Sequence, residues 1–73
     1  MSLPTKQERL LIQSVVFKPT SNQTIDVFSL VFKYCPKDLS AMYDAARRSG
    51  NADAIGRTWR NCLWYVAEMP TCD

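Results

Sequence analysis

The chain has 73 residues, of which 47% are hydrophobic and 22% are charged, and its formal net charge at neutral pH is +2. This length allows one domain with a thin core, and the composition is that of a globular protein rather than a disordered one. The small positive charge does not by itself require a nucleic-acid partner.

The composition also bears on the cellular setting. No apolar run reaches the length of about 18 residues that a membrane helix needs. Lys6, Glu8 and Arg9 stand where a signal peptide would begin its apolar core, so we expect no export signal. The cysteines are odd in number and far apart in sequence, which argues against a disulfide framework and predicts a reducing, cytoplasmic location. They are Cys35, Cys62 and Cys72.

The first predicted helix covers residues 6–16. Thr5 and Glu8 have the spacing of a capping box, in which each side chain accepts a hydrogen bond from the backbone N–H of the other residue. Apolar side chains then follow at helical spacing, and Pro19 ends the helix. These side chains are Leu11, Ile12, Val15 and Val16.

The second predicted helix covers residues 21–34 and begins at another capping-box pattern, residues 20–23. Its apolar residues occupy most of the circumference and leave only a narrow polar wedge. Such a helix is either the central core helix, covered by three neighbouring helices, or half core and half interface, with an uncovered apolar patch that packs against another molecule. The face that we assign to self-association is Val27, Leu30, Val31 and Tyr34.

The third and fourth predicted helices cover residues 39–49 and 52–68. We expect Asp38 to cap the third helix, Gly50 to close it in the left-handed conformation, and Asn51 to cap the fourth. Both segments carry apolar stripes at helical spacing. The stripes are Leu39, Met42, Tyr43 and Ala46, and then Ile55, Trp59, Cys62, Leu63 and Val66. Residues 69–73 are expected to form a short tail.

Together these segments predict an all-α fold, a small single-domain bundle of four short helices over residues 1–73. The alternative is an α+β fold in which residues 11–17 and 25–32 form an N-terminal hairpin under two helices, because Val15, Val16 and Phe17 favour strands. No Asn-Gly or Asp-Gly turn supports that hairpin.

The sequence does not predict an enzyme. Histidine, the most frequent general acid–base, is absent, and Gly50 and Gly56 alone do not form a phosphate-binding loop. Asp38 and Asp44 are the remaining carboxylate pair, and a helix cap and a solvated helix face explain them more simply. Three cysteines without histidine are one ligand short of a structural zinc site. We therefore expect no catalytic residue, no metal and no cofactor.

The outer side of the fourth helix predicts a protein-binding surface formed by Arg57, Arg60, Trp64 and Glu68. Arg60 and Trp64 are four residues apart, so the guanidinium and the indole can stack. Tryptophan and arginine are also enriched at interface hot spots. A core position for Trp64 is the alternative, because aromatic residues are more often buried than used for binding.

A basic cluster is the second candidate site, for a nucleic-acid backbone or an acidic protein surface. It consists of Arg47, Arg48, Arg57 and Arg60. Arg47 and Arg48 also fit a structural role, because cations stabilise the C-terminus of a helix. The glycine in the turn at residues 49–51 resembles that of a helix-turn-helix, but residues 52–55 offer few side chains that could read bases.

Two fragments, Gln23-Thr24-Ile25-Asp26 and Tyr43-Asp44-Ala45-Ala46, are similar to segments of the Hha/YmoA-type nucleoid modulators. The similarity covers these two short fragments of the chain. It implies a small helical cytoplasmic protein that acts by docking on DNA-binding proteins.

The expected function is that of a non-catalytic binding module, an adaptor or stoichiometric inhibitor that docks on a larger protein or complex and modulates it. Small proteins without a reaction site are often encoded by phages or mobile elements and act on host machinery, which is an association and not a physical inference. The alternative is a small nucleic-acid-binding transcription or nucleoid regulator that uses the arginine cluster. A homodimer built on the second helix is a third hypothesis.

Overall fold

The computed structural model describes residues 2–17 and 24–73, and all regular secondary structure in these residues is helical. The helices are α1 (Lys6–Phe17), α2 (Thr24–Tyr34), α3 (Lys37–Ser49) and α4 (Ala52–Ala67). The predicted all-α fold with four helices is confirmed. The hairpin alternative is wrong, because residues 11–17 and 25–32 are helical.

Helix α1 begins at the predicted capping box. The Thr5 N–H donates to Glu8 Oε1 at 2.9 Å, and the Glu8 N–H donates to Thr5 Oγ1 at 3.1 Å. The Tyr34 hydroxyl donates to the same Glu8 oxygen at 2.7 Å, which fixes the end of α2 against the start of α1. Ile12 and Val15, one turn apart, are the buried residues of α1. Burial on one helical face therefore outweighs the strand preference of the β-branched residues. The second capping-box pattern, residues 20–23, lies outside the described residues.

The turn between α3 and α4 forms as predicted. Gly50 has a φ of 72°, which glycine adopts without a steric penalty, and its N–H donates to the Arg47 carbonyl at 3.2 Å. Asn51 caps α4, since its side-chain oxygen accepts from the Ala54 N–H at 3.1 Å.

The predicted start of α3 is wrong by two residues. The helix begins at Lys37, and Pro36 rather than Asp38 is its N-cap residue, with a φ of −58° and a ψ of 149°. Proline fixes φ near this value, so Pro36 sets the entry of the chain into the helix without a side-chain cap. Asp38 lies in the first turn, where its carboxylate interacts favourably with the helix dipole.

Helix α2 packs its apolar face against α1 and α4. Val27 and Val31 are fully buried and Tyr34 is 5% exposed, all within the single chain. Leu30 is partly buried and packs against the same core. The face predicted for self-association is therefore covered by the chain itself, and that assignment was wrong.

Four aromatic rings fill the space between α2, α3 and α4. Trp59 of α4 stacks on Phe28 of α2, with 4.4 Å between ring centroids and 11° between ring planes. Phe32 packs on both rings of this pair at tilted angles, and Tyr43 meets Phe28 edge to face and Trp59 at a tilted angle. Such pairs stabilise a fold by about 0.5–1.5 kcal/mol each beyond the area that they bury.

Residues 69–73 pack back onto the N-terminal segment, and the prediction of a simple tail missed this. The Cys72 N–H donates to the Pro4 carbonyl at 3.0 Å, and Asp73 Oδ1 accepts from the Lys6 N–H at 2.9 Å. Arg9 Nη1 donates to the Met69 carbonyl at 2.9 Å. These bonds join the two ends of the described chain and leave Pro4 and Met69 buried.

Candidate protein-binding surface

Trp64 lies at the surface of α4. Its side chain is 42% exposed, so the alternative that places it in the core is wrong. Phe17, the last residue of α1, is 73% exposed and meets Trp64 edge to face, with 6.1 Å between centroids and 86° between planes. Two large aromatic side chains thus form an exposed pair where α1 ends beside α4.

A groove between α1 and α4 runs beside this pair, and we call it the Trp64 groove. Its volume is about 270 Å³, and its lining is mainly apolar. The lining residues are Val15, Val16, Trp59, Arg60, Leu63 and Trp64. The Gln13 side chain, which donates to the Ala67 carbonyl at 2.9 Å, holds the two helices together one turn further along α4.

Arg60 is the cationic group of the Trp64 groove. A Cβ placed on Gly56 would lie 3.8 Å from Arg60 Nη1 and 4.0 Å from Nη2, so the guanidinium lies over Gly56. Helical side chains lean toward the helix N-terminus, which takes Arg60 toward Gly56 and away from Trp64. The prediction that Arg60 stacks on Trp64 is therefore wrong, although both side chains line the Trp64 groove.

The structure brings together only part of the predicted surface. Arg57 and Glu68 are exposed and do not line the Trp64 groove, and Glu68 is the C-cap residue of α4. Val16 and Phe17, which were not predicted as site residues, contribute instead from α1. Phe17 stands seven residues after Leu10, which is also exposed at 62%, and this spacing along one helix face was the available signal.

The four arginines of the predicted basic cluster do not line a common cavity. Arg60 lines the Trp64 groove, whereas Arg47 lines a groove between α2 and α3 that shares no residue with it. Arg48 lines a cavity together with Arg47 and Asp44, and Arg57 is exposed. The structure therefore brings Arg47 and Arg48 together and places Arg60 in a different groove.

The groove between α2 and α3, called the α2/α3 groove below, has a volume of about 510 Å³. Aromatic side chains of both helices and charged side chains of α3 line it. The lining residues are Phe28, Phe32, Cys35, Lys37, Ser40, Tyr43, Asp44 and Arg47.

Cys62 lies in the core beside this groove and is 0% exposed. Its thiol lies 3.6 Å from the Leu39 carbonyl, to which it donates. Burial, together with the neighbouring Cys35 thiol, raises the pKa of Cys62 to about 12. The Cys62 thiol therefore stays protonated at neutral pH and is a poor nucleophile.

Two further properties apply to residues 2–17 and 24–73. No three cysteine, aspartate or glutamate side chains in this part of the chain stand close enough together to hold a metal ion. None of its helices combines the length and the apolar character needed to cross a membrane. Comparison of the chain with protein-family models, with curated proteins and with solved structures finds no match.

Proposed function

We propose that this protein is a non-catalytic binding module that docks on a larger protein through the Trp64 groove and modulates it as an adaptor or stoichiometric inhibitor. The observation that carries the proposal is the exposed pair of Phe17 and Trp64 beside an apolar groove. Large apolar side chains that cluster at a surface are typical of protein–protein interfaces, and tryptophan is among the residues most enriched at hot spots.

The exposed area of Trp64 is large enough to matter for affinity. A tryptophan side chain offers up to about 250 Å², so the exposed 42% is roughly 100 Å². At about 25 cal/mol per Å², covering this area contributes about 2.5 kcal/mol, which is in the range of a hot-spot residue.

The chemistry of the groove favours one kind of partner segment. Its walls are mostly apolar side chains, and Arg60 brings a cation to them. A segment with an apolar side chain next to a carboxylate matches both properties. The partner that we propose is therefore a protein that presents such a segment.

The proposed absence of catalysis has support in the protonated state of Cys62, the most deeply buried of the three cysteines. We place the protein in the cytoplasm, where its three free cysteines would stay reduced. The proposal includes an origin in a phage or mobile element, because such elements encode many small proteins that have no reaction site of their own.

A pull-down from nuclease-treated lysate of the source cells tests the proposal, with tagged wild type beside Trp64→Ala and Tyr65→Ala. Tyr65 is the matched control, because it neighbours Trp64 on α4, is 45% exposed and does not line the groove. We expect one host protein to be retained by the wild type and by Tyr65→Ala and to be lost from Trp64→Ala. Equal retention by all three proteins would refute the Trp64 groove as the docking site.

The same experiment addresses the alternative of a nucleic-acid-binding regulator. If DNA or RNA is recovered without nuclease and no protein is retained after nuclease treatment, the result would favour a nucleic-acid-binding regulator that uses its arginines. The division of Arg47 and Arg60 between two grooves gives that alternative less support, because backbone binding needs cations on one continuous surface.

A further inference from the structure

The α2/α3 groove has an ordered arrangement of charge. Lys37, Ser40, Asp44 and Arg47 follow one another on α3 at intervals of three, four and three residues, so they lie along one helix face. The rise of 1.5 Å per residue separates Lys37 and Arg47 by about 15 Å along the helix axis. Two cations therefore stand toward the ends of the groove, and the carboxylate of Asp44 lies one turn from Arg47.

The aromatic part of the groove is formed by Phe28, Phe32 and Tyr43. Their ring centroids are 5.2–5.8 Å apart, and Trp59 covers one face of Phe28 at 4.4 Å. Phe32 and Tyr43 pack on Phe28 at interplanar angles of 44° and 63°. Such a cluster of rings offers an apolar surface against which an apolar or aromatic side chain can pack.

We infer that the α2/α3 groove is a second binding site, which takes an extended protein segment with an apolar side chain between two carboxylates. The carboxylates would meet Lys37 and Arg47, and the apolar side chain would pack against the three rings. About 15 Å corresponds to four or five residues of extended chain at about 3.3 Å per residue. The volume of about 510 Å³ lies in the usual range of binding pockets.

This inference goes beyond the proposed function, because the two grooves have no lining residue in common. They do share a wall, since Trp59 lines the Trp64 groove and stacks on Phe28, which lines the other. Trp59 fluorescence can therefore report on an occupant beside Phe28, provided that Trp64 is replaced by phenylalanine to remove the second fluorophore.

The test is a titration of Trp64→Phe, followed by Trp59 fluorescence, with an acetylated and amidated pentapeptide. The probe has glutamate at both ends, phenylalanine at the centre and glycine between, and the control peptide has lysine in place of glutamate. We expect a saturable change with a Kd below about 1 mM for the acidic peptide and at least about threefold weaker binding of the lysine peptide. Arg47→Ala, added to Trp64→Phe, should weaken the binding of the acidic peptide about threefold or more.

Arg60→Ala is the matched control, because it removes the same charge from the Trp64 groove. It should leave the peptide affinity unchanged. Affinity that is lost with Arg60→Ala and kept with Arg47→Ala would place the peptide in the Trp64 groove and overturn the inference without harming the proposed function. The absence of a saturable change at about 5 mM peptide, or equal binding of both peptides, would also overturn it. Arg47 is exposed, so its truncation should leave the fold intact, and far-UV circular dichroism of each variant checks this.

Discussion

Truncation of Val31 distinguishes a core helix from an interface helix. Val31 is 0% exposed within the single chain, so Val31→Ala removes two methyl groups from the core and leaves a small cavity. At about 0.8 kcal/mol per carbon the loss is about 1.6 kcal/mol, and the cavity raises it to about 2 kcal/mol. For a domain of this size that free energy corresponds to a fall in Tm of roughly 8–16 °C. Ser29→Ala, at an exposed position of the same helix, should change the free energy of unfolding by less than about 0.5 kcal/mol.

Urea denaturation followed by circular dichroism measures these free energies, and it should be repeated at two protein concentrations about a hundredfold apart. The buried position predicts the same loss of stability at both concentrations, because no second chain takes part. A loss below about 0.5 kcal/mol, or one that depends on protein concentration, would refute the assignment of Val31 to the core of the single chain.

Three further predictions concern pH, backbone conformation and thiol reactivity. Hydrogen bonds from a backbone N–H and a tyrosine hydroxyl lower the pKa of Glu8 below its ordinary value of 4.5. The stabilisation that these bonds give is therefore fully present above pH 4.5 and is lost as the pH falls through the lowered pKa. Between about pH 6 and about pH 2, the free energy of unfolding measured by urea denaturation should therefore fall more for the wild type than for Glu8→Gln. An equal fall in both proteins would contradict this. Gly50→Ala should lower the free energy of unfolding by about 1 kcal/mol, because φ is 72° at this position. Gly56→Ala should raise it by about 0.5–1 kcal/mol, because alanine favours the helix and no atom lies nearer than 3.8 Å to the added Cβ. Melting curves that moved in the same direction would be inconsistent with these conformations. A thiol reagent should modify the exposed Cys72 quickly, and it should modify the buried Cys62, whose pKa is about 12, only on unfolding. Mass spectrometry of the labelled peptides measures both rates, and faster labelling of Cys62 would contradict its buried position.

The fold was predictable from local signals where those signals are specific. The pair Thr5 and Glu8, the glycine at position 50 and the asparagine at position 51 each act within one turn of chain, and all three form as expected. Asp38 was a poor guide to the start of α3, because the preceding proline already sets the backbone direction.

The candidate site was less predictable, because it depends on which helices meet. An apolar circumference on α2 does not tell whether neighbours in the same chain or another molecule cover Val27 and Val31. Trp64 was identified from its charged surroundings on α4, but its contact with Phe17 exists only because α1 ends beside α4. The position of Arg60 over Gly56 likewise depends on a side-chain direction that residue spacing alone did not give.

Docking through the Trp64 groove is best tested by the affinity for the captured partner, measured at low and high salt. Wild type, Trp64→Ala and Tyr65→Ala should be compared by calorimetry at about 50 mM and about 500 mM salt. We expect Trp64→Ala to weaken binding at least about tenfold at both salt concentrations, because about 1.4 kcal/mol or more is lost, and Tyr65→Ala to bind like the wild type. Docking through the Trp64 groove would be contradicted if Trp64→Ala binds as tightly as the wild type. It would also be contradicted if all three proteins lose their affinity at the higher salt concentration.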